Sequence, residues 1–251
     1  MKYTVIEHFS HPHLLLWNSA ETVPYQCDGC KELGFKACYR CEYVDCDFHL
    51  HEECATASSS TFHTFFKKCD FKFHEKAPGE CPRYCDACGK DVLGFVYQCT
   101  HKKPYDLHPC CVKLQHTIKG DGIELKLSKK VSSKCLKCQS KEVSKGIKGW
   151  SYVSTCGQYC YHVACVKDMV LENWKNGNFV QQSDAIELSS LEMQSMVPSQ
   201  ELVMQCGESS SRRKGSRYWS IAKLVLQLIV SAIFGDPTYG VVAFVESLFS
   251  N

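Results

Sequence analysis

One figure restricts this chain more than any other: Cys-x-x-Cys, followed some way downstream by His-x-x-Cys, written three times. Its members are Cys27, Cys30, His51 and Cys54, then Cys85, Cys88, His108 and Cys111, then Cys135, Cys138, His162 and Cys165. Between the second Cys and the His lie 20, 19 and 23 residues. Three thiolates and an imidazole serve no purpose in a hydrophobic core, but they match the ligand arithmetic of tetrahedral zinc. A single Cys-x-x-Cys arises easily by chance, whereas three in register with His-x-x-Cys do not. Such self-similarity is the mark of tandem modules.

The cysteine content, 19 Cys alongside 11 His in 251 residues, leaves disulfides or metal as the alternatives. The opening run from Met1 to His8 has no apolar signal-peptide segment. The thiols are therefore expected to meet a reducing cytoplasm or nucleus, where disulfides are rare and metal is favoured. The need for metal also follows from size. Modules this short bury too little apolar surface to offset chain entropy unaided. A structural zinc contributes about 10–16 kcal/mol of apparent free energy in small finger peptides, and that becomes folding free energy. Four protein donors leave no position for water or substrate, so these sets read as structural.

A second family of donors lies inside the first. Cys41 and Cys46 fall within the span of the first set, so their partners must come from outside it. His13 upstream and His63 downstream complete a set of four, with His8 and His11 as rivals of His13 and Cys38 as a rival of Cys41. In the second repeat Lys103 stands where Cys46 would, and His101 follows Cys99. Cys69, with His74 as rival, together with Cys99, His101 and His116, are the candidates there. The third repeat keeps Cys156 and Cys160 but lacks further donors unless His116 reaches it. The expected total is four to six zinc ions.

The phrases Tyr39-Arg-Cys41 and Cys46-Asp-Phe-His-Leu-His51-Glu-Glu-Cys54, with His11-Pro-His13-Leu upstream, resemble the plant cysteine/histidine-rich family. Its members carry divergent versions of the phorbol-ester/diacylglycerol-binding zinc finger of protein kinase C. The resemblance is closest in the first repeat and covers residues 8–180. It implies small zinc-stabilised α+β modules, strand-rich with short helices, at 8–63, 64–118 and 119–180. It further implies a protein-interaction or adaptor role in signalling or stress response. Lipid-binding relatives have a longer loop with a Gln-Gly element. Here only ten residues separate Cys30 from Cys41 and Cys88 from Cys99, with no Gln-Gly in either, and the longer loop from Cys138 to Cys156 carries Lys141, Lys145 and Lys148 instead. Diacylglycerol is therefore not an expected ligand, and protein partners are.

Charge is balanced, 29 basic against 27 acidic side chains, which gives no general pull toward nucleic acid. The Lys-rich stretch from Lys126 to Lys148 lacks the interleaved aromatics of single-strand binders and reads as a solvated loop. Enzymatic readings find little support. A redox Cys-x-x-Cys needs a βαβ context and a free pair, and neither a phosphate-binding glycine loop nor a nucleophile elbow is present. Protein-disulfide reductase chemistry is the enzymatic alternative.

Residues 181–217 read as a flexible linker with a basic end, and 218–251 as an apolar helical tail. Its runs, Trp219 to Phe234 and Val241 to Phe249, fall short of the roughly 20 residues that span a bilayer. With Arg212, Arg213, Lys214 and Arg217 upstream, a helix lying on an anionic membrane surface is one expectation. Self-association or packing on a partner is the other.

Overall fold

The structure, a computed structural model, describes residues 4–19, 24–35, 37–130, 133–144, 146–175 and 211–234. The first module contains β1 (Val5–His8), β2 (His11–Asn18), the small hairpin β3 (Tyr25–Gln26) and β4 (Leu33–Gly34), β5 (Cys38–Cys41), β6 (His49–Leu50) and the one-turn helix α1 (Glu52–Ala55). The second runs β7 (Ser60–Thr61), β8 (Phe71–His74), β9 (Val96–Cys99), β10 (Asp106–Leu107) and α2 (Pro109–Val112). The third runs β11 (Thr117–Gly120), β12 (Ile123–Ser128), β13 (Ser151–Ser154), β14 (Cys160–His162) and the longer α3 (Val163–Lys175). The final described helix is α4 (Ser211–Phe234).

Each module carries the same antiparallel four-stranded sheet, ordered β1-β2-β5-β6, β7-β8-β9-β10 and β11-β12-β13-β14. Their registers superpose residue for residue. Leu15 faces Cys41 and Trp17 faces Tyr39, Phe71 faces Cys99 and Phe73 faces Tyr97, and Leu125 faces Ser154 and Leu127 faces Tyr152. Tyr39, Tyr97 and Tyr152 are all buried, Tyr39 in the core of the first module and the other two in one core that the second and third modules share. The strand Ser60–Thr61 pairs with β8, so His63, which follows it as the N-cap of a 3-10 turn over Thr64–Phe66, belongs to the second module rather than to the first.

The modules dock head to tail through a repeated contact. The Phe95 amide donates to the Gly29 carbonyl at 2.9 Å, and the Trp150 amide donates to the Ala87 carbonyl at 2.7 Å. Gly29 and Ala87 are the third residues of their Cys-x-x-Cys turns, and Phe95 and Trp150 directly precede β9 and β13. Aromatic rings reinforce both junctions, Phe9 on Phe95 at 5.5 Å and Phe65 on Trp150 at 5.0 Å. The approach at the first junction requires glycine at position 94, where a Cβ would lie 2.0 Å from the Gly29 oxygen.

The apolar stripe of α4 is covered within the chain. Ala222, Val225, Leu226, Ile229 and Val230 are buried in the core that the second and third modules share. Tyr218 stacks on Tyr159 at 5.1 Å and Phe234 meets Phe35 at 4.7 Å. No helix among the described residues is long and apolar enough to cross a membrane. Of the linker expected over 181–217, residues 181–210 lie outside the described residues, and the basic end, 211–217, is not linker but the first part of α4; the second apolar run, from Val241 to Phe249, also lies outside the described residues.

Candidate metal centres

The local chain makes the same turn at every Cys-x-x-Cys. The amides of Lys31, Gly89 and Gln139 return to the carbonyls of Cys27, Cys85 and Cys135 at 2.8, 2.7 and 2.9 Å. Those three residues take left-handed backbone, with φ of 63°, 70° and 55°, so the turn closes tightly and both sulfurs point the same way. From the other side, the last strand of each sheet delivers His51, His108 and His162 directly after Leu50, Leu107 and Tyr161. A helix then begins, and its third residue is Cys54, Cys111 or Cys165.

The result is three Cys3His groups whose donor atoms all lie within 4.8 Å of one another. Cys30 Sγ is 3.3 Å and Cys54 Sγ 3.9 Å from His51 Nδ1. Cys88 Sγ is 3.4 Å from His108 Nδ1, and Cys138 and Cys165 Sγ are 3.4 and 3.6 Å from His162 Nδ1. Zinc bonded to sulfur at about 2.3 Å and to nitrogen at about 2.0–2.1 Å would hold such atoms roughly 3.5 Å apart. The donor sets therefore fit the metal in both chemistry and spacing. The amides of His51, His108 and His162 donate to Cys27, Cys85 and Cys135 Sγ at 3.4, 3.5 and 3.4 Å, which stabilises the thiolate form that binds metal. His51 Nε2 contacts the Leu33 carbonyl and His108 Nε2 the Asp91 carbonyl, each at 3.2 Å, fixing the tautomer that leaves Nδ1 for metal. His162 Nε2 is buried without an acceptor among the described residues.

A fourth group of four consists of His11, His13, Cys41 and Cys46. His13 Nδ1 is 3.5 Å from Cys41 Sγ, and His11 Nε2 is 3.4 Å from Cys46 Sγ. This corrects the expected set: His11 is the fourth donor, and His63 is not. The reason is the period of two along a strand, which puts His11 and His13 on one face of β2. Phe48 stacks on His11 at 4.1 Å and Tyr43 on His13 at 4.2 Å, so aromatics bracket both imidazoles. Burial, with His13 beside it, pushes the His11 pKa down and favours the neutral ligand form. His63 instead accepts from the Phe65 amide at 3.2 Å and packs on Trp150 at 4.7 Å. Burial, with His116 and Lys129 adding, pushes it down to about 4.

The rival residues have other places. His8 bonds Ser10 Oγ at 2.7 Å, Cys38 is buried in the first core, and His74 pairs with Val96 in the second sheet. In the second module Cys69, Cys99 and His101 come together as three donors. His116, a candidate for the last place here and for the third module's outer site, joins neither group among the described residues and bonds Thr64 Oγ1 at 3.0 Å, a second correction. In the third module Cys156 and Cys160 are not gathered into any donor group among the described residues. Cys156 is exposed, 3.2 Å from Ser154 Oγ, and Cys160 is buried on β14, whose strand neighbour is Val153.

One buried feature escaped the sequence altogether. Lys167 of α3 pairs with Glu32 of the first module at 2.8 Å, the side chains 5% and 7% exposed. The same Nζ lies 3.9 Å from Cys110 and from Cys111 Sγ in the second module. Burial opposes the charge on Lys167, but Cys110, Cys111 and Glu32 outweigh it and hold its pKa well above the ordinary lysine range. One ammonium thus ties three modules together. The two partners are 135 residues apart, and no local pattern announces them.

Compared with known families, residues 9–55 match the C1 domain, the protein-kinase-C-type zinc finger, and this segment is a C1-type module. No curated protein and no solved structure matches the chain. C1 domains bind zinc, and the repeated four-donor groups extend that capacity to several sites in this chain.

Proposed function

We propose that this chain is a zinc-folded protein-interaction protein of the adaptor type, working inside the cell, whose metal centres hold recognition surfaces in place and perform no chemistry. The observation that supports this most directly is that four groups are complete with four protein donors each, leaving no position for substrate. Zinc, when bound there, supplies the cross-link between strand, turn and helix that a small core lacks.

The surface for a partner is the loop between β5 and β6. Val44 is 78% and Tyr43 64% exposed, yet Tyr43 is anchored by its stack on His13. A rigid, exposed aromatic and an aliphatic neighbour are the side chains that make interface anchors. The test is proximity labelling in cells with the native chain and with Val44→Asp. A defined set of protein neighbours lost in the variant, at unchanged zinc content, supports the reading. An identical set in both, or disulfide-reductase turnover by the zinc-loaded protein, overturns it.

A further inference from the structure

The corner of the sheet that holds the fourth group in the first module has a counterpart in the second, and shared register identifies its residues. Leu15 faces Cys41 and Phe71 faces Cys99. Two residues before Leu15 stands His13, and two before Phe71 stands Cys69. The Tyr43 amide donates to Cys41 Sγ at 3.4 Å, and the Tyr105 amide donates to Cys99 Sγ at 3.1 Å. His11, four residues before Leu15, corresponds to Lys67, four before Phe71. The Cys41 amide reaches the Phe48 carbonyl and the Cys99 amide the Tyr105 carbonyl. Cys46, two before Phe48, therefore corresponds to Lys103, two before Tyr105. Both missing donors are replaced by lysine, and His101 enters from the loop to make a third ligand.

We propose that Cys69, Cys99 and His101 bind a fifth zinc ion whose fourth coordination position is open to an exogenous anionic donor. Three protein ligands and a vacant place is the arrangement of zinc sites that exchange ligands, in contrast to closed four-donor sites. Cys69 and Cys99 are 6% and 2% exposed while His101 is exposed, so the group has a buried thiolate floor and a solvent side. Two thiolates neutralise a divalent ion, and Lys67, Lys102 and Lys103 nearby in the chain favour an anion at the remaining position. This rests on the zinc-module reading but goes beyond it, since that reading requires only the closed groups.

The experiment is cobalt substitution of the full chain followed by titration with thiocyanate. The expected result is five cobalt ions per chain, with a saturable change in the visible absorption of one of them. That change and one cobalt equivalent are lost together in Cys99→Ser and in the exposed-site variant His101→Ala, whose fold is checked by circular dichroism. Lys103→Glu keeps the fifth ion and weakens the thiocyanate response. Four ions at saturating cobalt, or five whose spectrum ignores thiocyanate, overturns the proposal while leaving the closed-module reading intact. Fewer than four overturns that reading as well.

Discussion

The same corner of the same sheet is held in opposite ways in the first and third modules. In the first, His11, His13, Cys41 and Cys46 meet there. In the third, the positions of His13 and Cys41 are taken by Ile123 and Ser154, because Leu125 faces Ser154 as Leu15 faces Cys41. A tight Asp121-Gly122 turn with φ of 49° and 73° closes the hairpin there, and α4 lies against it, with Leu228 over Gly120. Ile118, Ile123, Leu125 and Leu127 are buried in one core with Ala222, Leu226 and Ile229. A metal cross-link and a docked apolar helix are thus alternative staples for one small scaffold. The second module stands between them, with three donors at that corner.

Substitutions at the two corners should separate the staples. His11→Ala is expected to lose one zinc ion and with it a large part of the roughly 10 kcal/mol or more that a structural site contributes, unfolding the first sheet's outer edge. His63→Ala should leave the zinc count unchanged, and elemental analysis distinguishes the two. If His63→Ala lost the ion instead, the assignment would be reversed.

Lys167→Ala, which strands a buried Glu32, should cost about 3–5 kcal/mol, and the pair Glu32→Gln/Lys167→Met should recover most of it. Denaturant unfolding measures both, and no loss in the single variant would show that the modules are not tied through this residue. Leu226→Ala, at a fully buried position, should cost about 2–5 kcal/mol. Hydrogen exchange should report that loss in the third sheet while the first remains protected.

The smallest effect is expected at the turns. Gln139 adopts φ of 55° where the second module has glycine. Gln139→Gly should therefore gain up to about 1 kcal/mol through relieved left-handed strain, less the entropy that glycine adds to the unfolded chain. A shift in melting temperature would register it.

Much of this was legible in the sequence where ligands are local. The three Cys3His sets could be read because a turn fixes Cys-x-x-Cys and one helical turn fixes His-x-x-Cys. The outer donors were harder. His11 and His13 share a strand face, a signal present in the His-x-His spacing, but His63 competed until β7 placed it in the second module. Cys156 and Cys160 looked like Cys41 and Cys46 by count, yet register puts Ser154, not Cys156, at the ligand position. The apolar character of the tail was visible from composition, but an apolar face does not say what will cover it. The Lys167–Glu32 pair depends on docking of distant modules, which no periodicity encodes.

The most direct test of the account is native mass spectrometry of the intact chain after equilibration with a weak zinc chelator. Four zinc ions retained per chain, one for each four-donor group, is the expected result. Three or fewer retained, with the thiols of Cys41 and Cys46 open to alkylation in the folded protein, would contradict it.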